Sequence, residues 1–393
     1  MSYDRDTLAS AGEQVKRPAP SARISALPRS GIREVMELAL ELPDAIRLEI
    51  GDPDFTTPAH VVDAASEAAR AGFTHYAPAI GLPSLRGLIA EKVRARNGLD
   101  CTAADVVVTT GACGALHSCL LALLDPGDEL LVPDPGWTTY TPMALAAGVV
   151  PVPYPLDRSR GFALDVDALA GRIGARTKAL VLNSPGNPSS TTLGRDELAA
   201  ALALAERHGL WVLSDECYEE LVLDGSHVST AALGPERVIS VFSFSKTYAM
   251  TGWRVGYAVA TGPVARLIAK AQEPIVSSAS TISQKAAEAA LAGPQDCVTA
   301  MREAYRRRRD TALALLDDAG VSYVRPDAAF YLMVDVGGDA SAFCRRLLLD
   351  QRVAVVPGDA FGAGGAGLVR VSLGASDEAV TEGVSRLAAA LKG

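Results

Sequence analysis

Short β-branched runs at 106–109, 129–132, 149–152, 179–183, 211–214, 238–242 and 255–260 alternate with stretches whose apolar residues recur every three or four positions. Few chain folds accommodate that alternation, because it is the pattern of strand–helix–strand units laid into a parallel sheet. Leu82, Leu85, Leu88, Ile89 and Val93 share one helical face, and Leu198, Ala201, Leu202 and Ala205 another. The expected fold is therefore α/β: a mostly parallel sheet flanked by helices, spanning 51–290. After Pro274 the texture changes to a long helical stretch over 297–319, short runs at 329–336, 354–356 and 368–372, and a last helix with Val380, Val384, Leu387 and Leu391 on one face. These imply a smaller α+β domain, which we assign to 31–50 together with 291–393. Two units suit 393 residues, more than one core usually organises. Residues 1–30 lack periodicity and carry Pro18 and Pro20, as a mobile or partner-wrapping N-terminal arm would.

Charge and cysteine usage exclude several classes. The formal charge of −9 opposes binding to polyanions, so no nucleic-acid partner is expected. No apolar run approaches the ~18 residues of a membrane span, and the first twenty residues are too polar for a secretory signal. The six cysteines form no C-x-x-C pairs and read as reduced thiols in a cytoplasm. Histidines and cysteines lack metal-ligand spacing, so no metal is expected. Two local patterns are traps. Residues 362–367 satisfy G-x-G-x-x-G, but the fingerprint must open a helix and here a strand pattern follows, so a flexible strand-to-strand loop is expected. Arg306 to Arg309 read as a solvated, salt-bridged helix face.

The chemistry is concentrated at strand ends. Ser243-Phe-Ser245-Lys246 follows the run 238–242, with Thr251-Gly-Trp-Arg254 just beyond. A strand-end lysine with hydroxyls before it and an arginine after it can bond covalently to a ligand while its neighbours hold an anion. Asp215 ends another apolar run, where a buried carboxylate requires a positive partner, and Tyr218 follows it; a helix cap or an arginine pair are alternatives for Asp215. Gly111, Ala112 and Cys113 join a run to a helix, exposing amides and the positive end of a dipole to a phosphate. Asn187 sits in a proline-flanked turn after 179–183, and Trp137 lies just beyond a strand, where it either stacks on a flat ring or joins the core. Arg370, inside an apolar run, suits a bidentate grip on a carboxylate.

A flat, phosphorylated pyridine aldehyde would satisfy all of these groups. From about Ser30 to the C-terminus the chain resembles the fold type I pyridoxal-phosphate enzymes, specifically the class I/II, aspartate-aminotransferase-like family. The S-x-S-K…TGWR-x-G-Y segment and the preceding D-E-x-Y carry the resemblance. It implies pyridoxal 5′-phosphate as cofactor, joined to Lys246 as a Schiff base, with Lys246 moving the substrate proton. It further implies that Asp215 keeps the pyridine nitrogen protonated, that Tyr218 and Asn187 hold the phenolic oxygen, and that Trp137 stacks on the ring. Gly111, Ala112, Cys113, Ser243, Ser245 and Arg254 would bind the phosphate, helped by Tyr76 of a neighbouring subunit, which makes the protein a homodimer with shared active sites. Arg370 and the Gly51 backbone, with Asn187 and Trp137, would take the substrate.

The implied activity is amino-acid transamination between an L-amino acid and a 2-oxo acid in a ping-pong cycle, with other chemistry of the same fold (β-lyase, synthase, racemase or oxidase) as the alternative. Departures from the family pattern, Ser189-Ser190 after Asn187-Pro188 and Ala328 before Ala-Phe-Tyr, fall around the substrate mouth. A cofactor-sensing regulator would need an added DNA-binding module, for which the residues before Ser30 are too few. Arg33 is a candidate for a distal substrate carboxylate, with a solvated helix face as its ordinary alternative.

Overall fold

The computed structural model describes residues 18–28 and 31–392. The expected arm lies outside the described residues over 1–17 and 29–30, and so does the side chain of Arg33. Within 18–28 the chain forms one helical turn, Ala22–Ser25.

Every run of the alternating region becomes a strand of one eight-stranded sheet. Its order is Val106–Thr109, Gly256–Val259, Val238–Ser243, Trp211–Asp215, Thr177–Asn183, Glu129–Asp134, Val150–Asp157, Ala163–Leu164. Gly256–Val259 runs antiparallel to both neighbours, and the two-residue edge strand is also antiparallel; the rest are parallel. The period-2 alternation of strand side chains divides the core between the two faces. Val106, Val108, Leu180, Leu182 and Phe242 pack beneath helices carrying Leu85, Leu198 and Ala286. Val107, Ala179, Val181 and Ile239 pack against helices carrying Leu116 and Ile268 on the other side. The parallel strands therefore end at one edge of the sheet. Pairing sets Asn183 beside Asp215, Asp215 beside Val241, and both Ser243 and Thr109 beside Gly256.

A second, antiparallel sheet has the order Tyr323–Val324, Tyr331–Asp335, Leu368–Ser372, Val356–Pro357. The run expected at 354–356 is divided: Val353–Ala354 pairs in parallel with Ile46–Arg47, while Val356–Pro357 joins the antiparallel sheet. The run expected to start at 329 starts at Tyr331, because Ala329 has φ 54° and cannot continue a strand. Leu48 packs with Tyr305, Val371 and Leu387 in one cluster, so the segment before Gly51 shares a core with the C-terminal third. No helix among the described residues is long and apolar enough to cross a membrane.

The basic run 306–309 departs from expectation. Arg308 and Arg309 are buried, and only their partners reach the surface. Arg308 holds both carboxylate oxygens of Asp54 at 2.8 Å and donates through Nε to Asp377 at 2.6 Å. Arg309 holds Asp224 at 2.6 Å. Four consecutive helical residues span about 300°, so they cannot share one solvated face; the inward pair is tolerated because carboxylates from distant segments meet it. Removing one partner of such a cluster strands the others. Arg308→Ala is expected to cost roughly 2–3 kcal/mol, below the value for a fully buried pair because Asp377 is half-exposed. Arg307→Ala, 64% exposed, should cost under about 0.5 kcal/mol. Denaturant midpoints of the two variants check the contrast.

Candidate active site

The carboxyl edge of the large sheet and the strand Leu368–Ser372 enclose a cleft of about 290 Å³. Lys246 enters it from the short helix Phe244–Thr247, whose first turn is capped by the Ser243 hydroxyl accepting from the Ser245 amide at 3.1 Å. The lysine Nζ donates to the Gly51 carbonyl. Burial, with Arg370 and Arg254 nearby, pushes the amine down to about 8 against the pull of Asp52 and Cys217. A lysine in that state is a usable nucleophile near neutrality.

Asp215 ends its strand fully inside the wall. The sequence implied a cation beside it; among the described residues its partners are instead the Tyr140 hydroxyl at 2.6 Å and the Cys217 amide at 3.3 Å. Burial raises the carboxyl pKa while those two donors oppose the rise. A buried carboxylate that faces a cleft without a cation is suited to a ligand that carries one.

At the other end of the cleft the amides of Ala112 and Cys113 open the helix Gly111–Leu123, beside Ser243, Ser245 and Arg254. Close approach is what the glycines allow. A Cβ on Gly111, which has φ 73°, would stand 2.8 Å from Arg254 Nη2, and one on Gly256 would stand 2.8 Å from the Ala112 nitrogen. Arg254 itself, with φ 53°, is exposed on the cleft floor and donates to the Thr251 carbonyl at 2.8 Å. Helix amides, two hydroxyls and a guanidinium make a phosphate cradle.

Arg370 comes from the second sheet and is buried, its guanidinium 4.3 Å from the Tyr331 ring centroid and 4.7 Å from that of Phe361. It donates to Asn187 Oδ1 at 3.0 Å and to the Glu49 carbonyl at 2.7 Å, leaving Nε buried and unpartnered. An orphaned guanidinium donor at a cleft wall is an anion receptor. With Oδ1 so engaged, Asn187 keeps its Nδ2 amide for a ligand; its own backbone amide is held by Asn183 Oδ1 at 2.8 Å. Tyr218 pairs with the Tyr331 hydroxyl at 2.8 Å. Burial raises both phenols.

The cleft thus brings together Gly51, Ala112, Cys113, Trp137, Asn187, Asp215, Tyr218, Ser243, Ser245, Lys246, Arg254 and Arg370, with Gly111 against Arg254. Trp137 lines it half-buried, edge-on to Tyr140 at 5.3 Å. Tyr76 lies elsewhere on this chain and is 90% exposed. Sequence reasoning passed over Tyr140, Asn183, Tyr331, Ile32 and Met36. Tyr140 stands three residues after Trp137 and Tyr331 closes Ala329-Phe330-Tyr331, so nearness to those features was the signal available; Ile32 and Met36 carried none beyond helical spacing. The glycine stretch 362–367 forms tight turns leading into the strand Leu368–Ser372, not a helix, so it is no dinucleotide fingerprint. Its Gly364 amide donates to Asp134 at 2.8 Å, supporting the segment that carries Trp137.

Comparison with known proteins agrees with this geometry. The profile of the family described as aminotransferase class I and II matches residues 43–387. The chain is similar to the aspartate/prephenate aminotransferase of Thermus thermophilus, 40% identical over 94% of this chain and 98% of that one. It is also similar to an arginine–pyruvate transaminase of Pseudomonas aeruginosa, 41% identical over 88% of this chain and 89% of that one. Among solved structures, Thermus thermophilus aspartate aminotransferase with maleate superposes with a TM-score of 0.91 at 39% identity, covering 95% of this chain and all of that one.

With an amine half neutral near pH 8, the apoprotein should react with an aromatic aldehyde such as pyridoxal at a rate that rises about tenfold per pH unit and levels off above pH 8. Rapid mixing followed by absorbance measures it. A rate still climbing at pH 10 would show an ordinary lysine.

Proposed function

The chain belongs to the aminotransferase class I and II family and is a pyridoxal-phosphate-dependent aminotransferase, and we propose that its cleft works through the following division of roles. Lys246, Asp215 and Tyr218 serve catalysis; Gly111, Ala112, Cys113, Ser243, Ser245 and Arg254 hold the cofactor phosphate; Trp137 and Asn187 hold its ring; Arg370 and Gly51 receive the substrate. The observation that carries this reading is the pairing, in one cleft, of a cation-free buried carboxylate with a lysine whose amine is lowered to about 8.

Bound pyridoxal 5′-phosphate supplies an aldehyde that condenses with amines and a protonated ring that accepts the electron pair of a broken Cα–H bond. Asp215, held by Tyr140, keeps the ring nitrogen protonated. Tyr218 and the Asn187 Nδ2 amide donate towards the phenolic oxygen. With the cofactor present, the Lys246 amine would hold its aldehyde carbon and, when freed by a substrate amine, would be the base that carries the proton between the substrate Cα and the cofactor's C4′. Arg370 grips the α-carboxylate through its free Nε, which orients the Cα–H bond towards Nζ. Water would supply the oxygen with which the 2-oxo acid is released, leaving the amine on the cofactor, and a second 2-oxo acid would take that amine up with loss of water, a ping-pong exchange serving amino-acid metabolism.

The same reading divides the chain into a cofactor domain, 51–290, and a smaller domain of 31–50 with 291–393. It makes the protein a homodimer in which Tyr76 completes the partner's phosphate cradle. The exposed Tyr76 stands with Phe73, Val276 and Ile282 among Thr74, His75, Ser278 and Thr281 around one surface groove, a mixed surface that a second copy of the chain would cover. The free cysteines, several of them buried, suit a reducing cytoplasm.

Shared sites are tested by co-expressing Lys246→Ala with Tyr76→Ala, each inactive or weakened alone. Mixed dimers carry one intact site, so activity should recover to about a quarter of the wild type; no recovery above the parents would place Tyr76 outside the partner's site. Transfer itself is tested by adding amino acids without an acceptor. One equivalent of 2-oxo acid per subunit is expected; continuous release of pyruvate, ammonia or peroxide would favour the lyase or oxidase alternative.

A further inference from the structure

Between the turn that carries Asn187 and the strand that begins at Tyr331 stands a residue that the roles above leave out. Ser190 is fully buried and has φ 55°, in the left-handed region that glycine enters freely and serine does not. Its amide donates to the Gly186 carbonyl at 3.0 Å, and the Gly186 amide donates to the Thr191 carbonyl at 2.9 Å, which closes the Asn187 turn. Its carbonyl accepts from the amides of Asp327 and Ala328, each at 3.0 Å, and its hydroxyl accepts from the Tyr331 amide, also at 3.0 Å. One serine therefore ties three amides of the segment 327–331 to that turn.

Strand geometry explains why the Tyr331 amide needs this acceptor. The Phe330 carbonyl accepts from the Leu373 amide, so the alternation of an antiparallel pair turns the Tyr331 amide away from Leu368–Ser372. On the other side the strand Tyr323–Val324 pairs with Val334 and Met333 and stops short of Tyr331. The Ser190 hydroxyl stands where a longer strand would have placed a carbonyl. Without it a buried amide loses its acceptor.

Beyond its amide, Tyr331 reaches the cleft. Its hydroxyl is 2.8 Å from the Tyr218 hydroxyl, and a Cβ on Gly51 would stand 2.1 Å from it, so the backbone at Gly51 closes against it. Its ring lies under the Arg370 guanidinium, which also holds Asn187 Oδ1. When Tyr218 donates towards a ligand oxygen, its own oxygen is left to accept from Tyr331, and a chain of hydroxyls strengthens the donation at its end.

Resting on the roles proposed above for Tyr218 and Arg370, we infer that Ser190 is a positioning residue: its hydroxyl fixes Tyr331 where the phenol supports Tyr218 and the ring backs Arg370.

Ser190→Gly and Ser190→Ala both remove the hydroxyl, but glycine relaxes the backbone at φ 55° and alanine does not. The visible absorbance of the bound cofactor is followed against pH in each holoenzyme. Weaker donation from Tyr218 leaves more negative charge on the phenolic oxygen, which then holds a proton on the adjoining Lys246 nitrogen more tightly. The midpoint should therefore rise by about 0.3–1 pH unit in both variants. The groups around that nitrogen, Asp52, Asp215, Cys217, Tyr218, Arg254 and Arg370, are common to all the proteins compared. The single-turnover rate with an amino acid and no acceptor should fall about tenfold. Thr192→Ala removes a 3.1 Å bond to Asp327 in the same segment without touching Tyr331, and should leave the midpoint within about 0.1 unit. A Ser190→Gly enzyme with the wild-type midpoint and rate would show that the serine serves only the turn, and would overturn the inference. So would a Thr192→Ala midpoint that shifts as far, since any loosening of the segment would then suffice. If borohydride fixed the wild-type cofactor on a residue other than Lys246, the reading of the cleft itself would fall instead.

Discussion

The site is organised around a carboxylate buried with no cation bonded to it among the described residues. Asp215 ends a central strand, accepts a 2.6 Å hydrogen bond from Tyr140 and faces the cleft. Burial raises its pKa, and the Tyr140 hydroxyl and Cys217 amide oppose the rise. Such an arrangement is only partly stable by itself and gains from a positively charged ligand, so the protein's surroundings are built to keep the carboxylate in place until one arrives. Tyr140 depends on the turn that carries Trp137. That turn rests on the glycine stretch through the Gly364 amide and on the Phe361 carbonyl, which accepts from the Gly136 amide at 2.9 Å. Phe361 in turn stacks on Arg370. The Asp215 and Arg370 sides of the cleft are thus connected through one loop.

The two sheets contribute opposite chemistry. The large sheet provides the aspartate, the lysine and the phosphate cradle from a single edge, because its parallel strands must all end there. The small sheet provides Arg370, whose two bonded nitrogens hold Asn187 and Glu49 from different segments. A guanidinium so confined loses little freedom on taking a carboxylate, and the aromatic rings on both sides exclude water from it.

Most of the large sheet was legible because β-branched runs and helical periodicity report burial directly, and each strand end carried residues too polar for a core. The antiparallel turn of Gly256–Val259 was not, since side-chain alternation is blind to strand direction. Nor was the burial of Arg308 and Arg309: local spacing shows which face of a helix a residue occupies, not that Asp54, Asp224 and Asp377 fold back to meet it. The lysine, the aspartate and the arginines of the cleft were found through their neighbours in sequence. Tyr140 and Tyr331 act through hydroxyls that reach across to other segments, and nothing near them in the chain marks that reach. Ile32 and Met36 line the cleft from a helix whose spacing in sequence shows only that it is amphipathic.

The loop that begins at Gly51 connects these themes. At one end the Gly51 carbonyl accepts from Lys246; three residues on, Asp54 is clamped by Arg308, and its amide donates to the Gly374 carbonyl at 2.9 Å. Arg308 also reaches Asp377 at the start of the last helix. So few residues between two anchors leave the backbone little room, and the ion cluster in the second core therefore sets where the Gly51 carbonyl stands relative to the lysine. An acidic chain achieves a cationic cleft by this kind of confinement. The buried arginines away from the cleft, Arg308 and Arg309, are neutralised by carboxylates on distant segments, while Lys246, Arg254 and Arg370 face the cleft with no carboxylate bonded to them among the described residues. Positive charge is thus concentrated in the cleft of a chain whose net charge is −9.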